Sequence, residues 1–183
     1  MAHPPRPTLE DGDLRLRAPQ AGDVDARMRL GNTPAIIRMF GGDPNQVEPI
    51  TKAHAQHWVQ QHDALKTAWM IEHEDRLIGS LRLHSFSEQD RRALYAIGIL
   101  DARRLGQGLG TRATRLIVAH AFDALGLHRL GLRVLDFNKR AIAAYRKVGF
   151  VVEGRARQSA FIAGEWFDDV MMGLLAPEWR SGQ

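Results

Sequence analysis

The stretch that decides how this chain is interpreted reads Arg103-Arg104-Leu105-Gly106-Gln107-Gly108-Leu109-Gly110-Thr111. It follows an apolar run at 94–100 and precedes residues 109–125, whose apolar side chains recur at helical spacing. Glycines allow a backbone to approach an anion closely, and a helix N-terminus offers unpaired N–H groups and the positive end of its dipole. The pattern therefore predicts a strand, a phosphate-binding turn and a helix.

Two familiar phosphate-binding motifs do not fit this stretch. A dinucleotide fingerprint needs glycine at the sixth place counted from Gly106, where Thr111 stands, and the Gly-Lys-Ser/Thr end of a P-loop does not follow. For a bare glycine triplet, a flexible turn from strand to helix is an equal alternative. If the turn does bind phosphate, Arg103, Arg104 and Arg112 add positive charge.

The flanking sequence predicts strands mixed with helices. Strand patterns lie at 14–17, 68–73, 77–83, 94–100, 130–135, 150–153, 158–162 and 166–174, the last two as a hairpin around Ala163-Gly164. Helix patterns lie at 24–30, 33–39, 51–65, 109–125 and after Asn138 as far as Gly149. Asp23 is the expected cap of the first helix, residues 85–91 are an expected loop, and Gly98 indicates a bulge or a close approach by another backbone. This mixture predicts an α/β fold with a mixed sheet.

Composition narrows the class of protein. The 183 residues fit one domain, 1–183, with the proline-rich residues 1–10 expected as a loose tail. The absence of cysteine excludes a disulfide scaffold, a thiolate metal site and a cysteine nucleophile, and it favours a cytoplasmic location. No apolar run approaches the ~20 residues of a membrane span, so no membrane segment is expected. The net charge of +4 is mild and fits an anionic cofactor equally well, and the arginines are scattered, so we do not expect nucleic-acid binding. No metal site is expected.

A second motif lies downstream at 138–150, with Asn138, Ala141, Tyr145, Lys147 and Gly149-Phe150 in order. It is similar to the Asn-x-x-Ala/Ser-x-x-x-Tyr-x-Lys-x-Gly-Phe signature of GNAT acetyltransferases. The glycine stretch resembles their first signature, Gln/Arg-x-x-Gly-x-Gly/Ala, with Leu105 in the first place. The resemblance covers roughly residues 14–175 and is nearest to the Rim-type ribosomal-protein and spermidine acetyltransferase branches.

The resemblance implies a fold and an activity. The fold is the GNAT acyl-CoA N-acyltransferase fold, with a mixed, largely antiparallel central sheet flanked by helices. The activity is direct transfer of acetyl from acetyl-CoA to an amine: a protein N-terminus, a polyamine or another small amine. Such enzymes often pair as homodimers. The alternative is a CoA-binding sensor or scaffold without catalysis, against which the presence of Tyr145 argues.

The resemblance also assigns roles to individual residues. The expected cofactor-binding set is Gly98, Ile99, Leu100, Leu105, Gly106, Gln107, Gly108, Leu109, Gly110, Thr111 and Asn138. Tyr145 is expected to donate a proton to the departing thiolate, because a phenol with a pKa of about 10 stays protonated at neutral pH. Each of these assignments has a structural alternative: Tyr145 as a core residue, Asn138 as a helix cap, and residues 98–100 as core strand.

The acceptor end is less well specified by the sequence. The strand at 94–100 carries no carboxylate, which leaves His84, Glu72 and Glu88 as candidates for a general base. Four aromatic residues are candidates for lining the acceptor cleft or for the core: Phe40, Trp58, Trp69 and Trp166. No strongly acidic pocket for a polyamine is evident.

Overall fold

The computed structural model describes residues 6–182, and in these residues the strands form a single sheet. The strands are β1 (Leu9–Asp11), β2 (Leu14–Arg17), β3 (Ala68–His73), β4 (Arg76–Ser87), β5 (Arg92–Ile99), β6 (Arg129–Leu135), β7 (Val151–Ile162) and β8 (Glu165–Leu175). Their order across the sheet is β1-β2-β3-β4-β5-β6-β8-β7. Every neighbouring pair is antiparallel except β5 and β6, which confirms the predicted mixed, largely antiparallel sheet.

Six α-helices flank this sheet in the described chain. They are α1 (Asp23–Leu30), α2 (Pro34–Met39), α3 (Lys52–Ala64), α4 (Leu109–Ala119), α5 (Lys139–Val148) and α6 (Ala176–Ser181). The predicted helix over 109–125 is not uniform, because a π-helical turn, His120–Ala124, follows α4. No helix in residues 6–182 is both long and apolar enough to span a membrane.

The sheet opens along its middle. Residues 92–94 of β5 pair with residues 129–131 of β6, and the pairing ends there. On its other side, β5 stays paired with β4 from Leu94 to Ile99. The second half of β5 therefore presents its backbone edge to a gap rather than to a strand.

The core lies between the sheet and the apolar face of α4. Ala113, Ile117 and Val118 of this helix are fully buried and belong to the same cluster as Trp69 and Leu81 of the sheet. The spacing of these helical residues puts them on one face, as the sequence predicts. Packing on this face fixes the position of the first turn of α4, next to the opening.

Several sequence predictions are corrected by the fold. The N-cap of α1 is Gly22, because the buried carboxylate of Asp23 pairs with Arg17 at 2.8 Å instead of capping the helix. The pairing of β4 with β5 shows no bulge at Gly98; the irregularity lies in β4 between His84 and Ser87, so the strand continues into the predicted loop. The two predicted strands at 150–153 and 158–162 are one strand, β7, with a register shift between Ala156 and Ala160.

The predicted loose tail over 1–10 is wrong where the structure describes it. Arg6 donates to backbone oxygens at the end of α3, and the indole of Trp69 donates to the carbonyl of Pro7 at 2.8 Å. Leu9 then begins β1. Residues 1–5 of that prediction lie outside the described residues.

Candidate active site

A cleft of about 1010 Å³ occupies the gap between β5 and β6. Its walls bring together residues that are distant in sequence: the end of β5, the glycine turn, the first turn of α4 and one face of α5. The residues of the predicted set that line it are Gly98, Ile99, Leu100, Leu105, Gly106, Gly108, Leu109, Gly110, Thr111, Asn138 and Tyr145. Gln107 is the exception, because its amide turns away and donates to the carbonyl of Arg103 at 2.8 Å.

The glycine turn forms an open cradle at the start of α4. Gly106 and Gly108 have φ angles of +79° and +78°, which side chains with a Cβ rarely adopt, and no heavy atom lies within 4 Å of a Cβ placed on either. Gly108 is the N-cap and supplies no side chain to the helix end. Within residues 6–182, no group accepts from the first N–H groups of α4, at Leu109, Gly110 and Thr111. An anion is the complementary ligand for such a helix end.

Two side chains buried beneath the cradle fix its position. The hydroxyl of Thr114 donates to the carbonyl of Gly110 at 2.6 Å. Because that donation uses its one proton, the 2.9 Å contact with Tyr95 is a bond that the Tyr95 hydroxyl donates to Thr114. The fully buried ring of Tyr95 therefore ties the helix start to the sheet.

The arginines of the glycine stretch are less available than the sequence suggested. Arg103 is 80% exposed in its side chain and pairs with Asp101, and Arg112 binds Asp11 and Asp13 behind the helix. Arg104 lines the cleft, although it also pairs with Glu74 at 2.6 Å. These bonds brace the turn from outside. Arg104 lines the cleft together with Arg140 and Lys147 of α5, and these three residues bring positive charge to it.

The open edge of β5 is shaped by two glycines. At Gly79 of β4 an added Cβ would collide with the carbonyl of Gly98, so this is where two backbones approach closely. At Gly98 an added Cβ would lie 2.6 Å from the ring of Phe40. The half-exposed Phe40 thus packs over the strand edge inside the cleft.

Tyr145 projects from α5 toward this strand edge. Its ring is 8% exposed and packs edge-on against Tyr95 and Phe150, with centroids 6.3 and 6.0 Å away. No group in the described chain hydrogen-bonds to its hydroxyl. Burial raises the pKa of Tyr145 to about 12, so the phenol is protonated throughout the physiological range.

Asn138 combines two positions. Its side-chain oxygen accepts from the N–H of Ala141 at 3.2 Å, so it caps α5 as predicted, and the residue also lines the cleft. By fixing the start of α5 it sets the rotation of the helix, which brings Tyr145 onto the cleft-facing side.

The candidate bases separate clearly in the structure. Glu72 lies away from the cleft in a buried cluster with Arg17 and Arg15, at 2.5 and 2.9 Å, and Glu88 does not line the cleft either. His84 does line it. Burial, and secondarily the charge of Arg82, lower the pKa of His84, so its imidazole is neutral at pH 7 and able to accept a proton.

Two of the four candidate aromatic residues line the cleft, and the other two do not. Phe40 and Trp58 line the cleft, whereas Trp69 is a core residue. Trp166 lies outside the cleft at the β7–β8 hairpin, where it is 59% exposed and packs on Phe161 with centroids 4.8 Å apart.

Some residues that line the cleft were missed by the sequence analysis. Asp169 is the one carboxylate lining the cleft among residues 6–182, and it is held by Arg133 at 3.2 Å and by the hydroxyl of Ser159 at 3.1 Å. The irregularity in β7 brings Ser159 to this position. Arg27 and Arg82 also line the cleft. Single polar residues in otherwise ordinary helix and strand patterns gave no signal for these positions.

One cluster outside the cleft has the composition of a metal site. The side chains of Asp13, His73 and Glu74 offer ligand atoms within 4.8 Å of one another. Arg112 and Arg104 already bind the two carboxylates, at 2.9 and 2.6 Å. Their positive charge opposes a divalent cation at this cluster.

Comparison with known proteins shows which protein family this chain is similar to. The sequence profile of the acetyltransferase (GNAT) domain matches residues 13–151. The chain is 29% identical over 167 residues to the spermidine N(1)-acetyltransferase of Escherichia coli K12, covering 91% of this chain and 88% of the relative. It is 26% identical over 172 residues to the putative ribosomal N-acetyltransferase YdaF of Bacillus subtilis, covering 91% and 92%. The structure of a Vibrio cholerae spermidine N-acetyltransferase in complex with CoA and spermine superposes with a TM-score of 0.76 at 25% identity, covering 93% of this chain and 99% of that one.

Proposed function

Because this chain belongs to the GNAT family of acetyltransferases, and is an N-acetyltransferase with acetyl-CoA as its co-substrate, we propose a role for each part of its cleft. The glycine turn holds the pyrophosphate of acetyl-CoA, the open edge of β5 holds its pantetheine arm, and the amine enters from the opposite end. The observation that carries this proposal is an open cradle of N–H groups in one cleft with a buried tyrosine; within residues 6–182, neither these N–H groups nor the tyrosine hydroxyl has a hydrogen-bond partner.

The fit of the cradle to a pyrophosphate follows from its construction. Two glycines with positive φ leave the first turn of α4 uncovered, so an anion can reach its N–H groups directly. Arg104, Arg140 and Lys147 supply positive charge along the same wall. Leu105 replaces a polar residue of the family signature, so the contact at that place is made through backbone and apolar surface.

Tyr145 acts as the proton donor at the thioester end. When bound, acetyl-CoA supplies an activated acetyl group whose transfer releases a thiolate. The hydroxyl of Tyr145 has no competing hydrogen-bond partner in the described part of the chain and stays protonated, so it is available to donate to that sulfur. The apolar surroundings disfavour phenolate and thiolate alike, because both are anions, so the pKa values of donor and acceptor rise together.

The remaining steps require an oxyanion site and a base. Backbone N–H groups on the open edge of β5 stabilise the carbonyl oxygen as it gains negative charge. The neutral imidazole of His84 accepts the proton of the incoming amine, directly or through water. Because the chain has no cysteine, transfer is direct and passes through no acetyl-cysteine intermediate.

An amine-panel assay tests the proposed function. Thiol release from acetyl-CoA is measured with polyamines, peptides with free N-termini and small primary amines, together with calorimetric binding of acetyl-CoA. We expect binding and amine-dependent release that is absent without amine. Binding without turnover of any amine class would replace the enzyme with the sensor alternative, and absence of binding would remove the cleft assignment.

We further propose a single cytoplasmic domain that pairs as a homodimer. The exposed Phe161 and Trp166 at the hairpin, and Val151 on the edge strand β7, give an apolar surface beside the C-terminal strands. A monomeric mass by light scattering, at concentrations well above those of the assay, would refute the dimer.

A further inference from the structure

Arg27 of α1 is a buried cation that has no carboxylate partner among the residues that the structure describes. It is 8% exposed and donates to the carbonyl of Gly31 at 2.7 Å and to the side-chain oxygen of Asn32 at 2.8 Å. Its Nε has no partner, and within residues 6–182 no carboxylate lies within ion-pair distance of it. Burial consequently lowers the pKa of Arg27. An uncompensated buried charge is costly, so this guanidinium is poised for an anion.

The other buried arginine near α1 shows the contrast. Arg17 is equally inaccessible, and it is bracketed by Asp23 at 2.8 Å and Glu72 at 2.5 Å. Arg17 serves the fold with its charge fully compensated. Arg27 is not compensated in this way, and it faces the cleft, where Arg17 does not.

The aromatic and basic side chains around Arg27 bring no negative charge to this end of the cleft. Its guanidinium carbon lies 5.6 Å from the ring centroid of Trp58, and the Trp58 ring packs at a tilt of 47° on His62 with centroids 4.5 Å apart. Arg82 of β4 lines the same part of the cleft, and its charge contributes to lowering the pKa of His62 and His84. None of these five residues is a carboxylate.

The phosphates of acetyl-CoA, bound at the glycine turn, would lie too far from Arg82 to neutralise its charge. Arg82 pairs with Ala96 of β5, which lies four residues before Leu100, and the glycine stretch begins further on, at Arg103. At ~3.3 Å per residue, these four residues place the Arg82–Ala96 pair about 13 Å along the strand from Leu100. An anion that binds at the Arg82 end of the cleft would therefore come with the other substrate.

We propose that Arg27, assisted by Arg82, binds an anionic group of the acceptor, so that the acceptor is a small amine carrying a carboxylate or a phosphate-like group. This inference rests on the proposed function. A polyamine would bring two or more ammonium groups to a wall whose one carboxylate in the described chain, Asp169, is already paired with Arg133. An amino acid has the complementary charges.

The alternative role of Arg27 is structural, because its bond to Gly31 helps to end α1. The two roles differ in what a charge-removing variant changes. A structural residue affects all acceptors alike, whereas an anion-binding residue affects the acidic acceptors selectively.

The test compares matched acceptors in the thiol-release assay. Each amino acid of a panel is measured beside its carboxamide and its decarboxylated amine, and an aminoalkyl phosphonate separates a phosphate-like group from a carboxylate. We expect kcat/KM to be at least tenfold higher for the best acid than for its amide, roughly the effect of a charge-assisted hydrogen bond. Arg27→Gln should abolish this preference, and Arg27→Lys should retain part of it. Arg29→Gln, which removes an exposed charge from the same helix, should leave it unchanged.

Each result decides the proposal. Faster turnover of spermidine, amides or acidic peptide N-termini than of small acids would overturn the inference. The proposed function would still stand. No turnover of any amine despite acetyl-CoA binding would remove both. A carboxylate preference that survives in Arg27→Gln would make Arg27 structural. If that variant fails to fold by thermal unfolding, the acid-to-amide ratio of the wild type and of Arg82→Gln decides in its place.

Discussion

Removing the hydroxyl of Tyr145 is the sharpest test of the reaction centre. Tyr145→Phe keeps the ring and its edge-on packing against Tyr95 and Phe150. Since the hydroxyl has no hydrogen-bond partner in the described chain and is largely buried, its loss should leave the free energy of unfolding unchanged or raise it by up to about 1 kcal/mol.

The catalytic effect should be much larger than the effect on stability. Loss of a general acid lowers kcat by roughly 10²–10⁴-fold, which corresponds to about 2.7–5.5 kcal/mol of transition-state stabilisation. The affinity for acetyl-CoA should change little, because the bond matters most as the thiolate leaves. Steady-state kinetics with the best acceptor, calorimetric binding and thermal unfolding measure the three quantities.

The chain contains a matched control, because its other tyrosine has a bonded hydroxyl. Tyr95→Phe leaves the Thr114 hydroxyl oxygen without its donor and should lower the free energy of unfolding by about 1–3 kcal/mol. Full kcat in Tyr145→Phe would refute the reasoning and make Tyr145 a core residue. A loss of kcat no larger than that of Tyr95→Phe would do the same.

Three further predictions concern the cradle, pH and the fold. Gly108→Asp should weaken acetyl-CoA binding by at least tenfold, because φ is +78° there and a negative charge faces the pyrophosphate; unchanged affinity by calorimetry would contradict the assigned cradle. From pH 7 to about pH 10, kcat/KM should rise as the amine loses its proton and should show no falling limb, because Tyr145, with a pKa of about 12, stays protonated and His84, with a lowered pKa, is already neutral. Glu72→Gln should lower the free energy of unfolding by about 3 kcal/mol and leave kcat unchanged. This is the lower end of the range for breaking a buried ion pair, because Asp23 still neutralises Arg17. A large drop in kcat without loss of stability would make Glu72 a candidate base again.

The parts of the molecule that the sequence predicted are those with local causes. The glycine turn, the cap at Asn138 and the left-handed end at Gly149 depend on backbone conformations and hydrogen bonds a few residues apart. Such features can be predicted from the sequence because residue type and backbone conformation are directly linked.

The parts that the sequence could not predict depend on tertiary contact. Asp23 fits a helix cap equally well, and it turns to Arg17 because β2 and α1 meet in space. Gly98 resembles a bulge residue, yet the group that requires its small size is the ring of Phe40. Arg27 and Asp169 are ordinary polar residues in their own segments, and only the folded chain sets them in the wall of the cleft.

The open edge of β5 has a consequence for hydrogen exchange. Amides that point from this strand toward β4 are held in a ladder, and beyond Leu94 those that point into the gap have no strand partner in the described chain. Alternate N–H groups should therefore exchange with deuterium at very different rates, although they belong to one strand. A ligand that pairs with the open edge would slow exchange only in the rapidly exchanging amides. The deuterium uptake of this one strand would therefore report whether the cleft is occupied, without an activity assay.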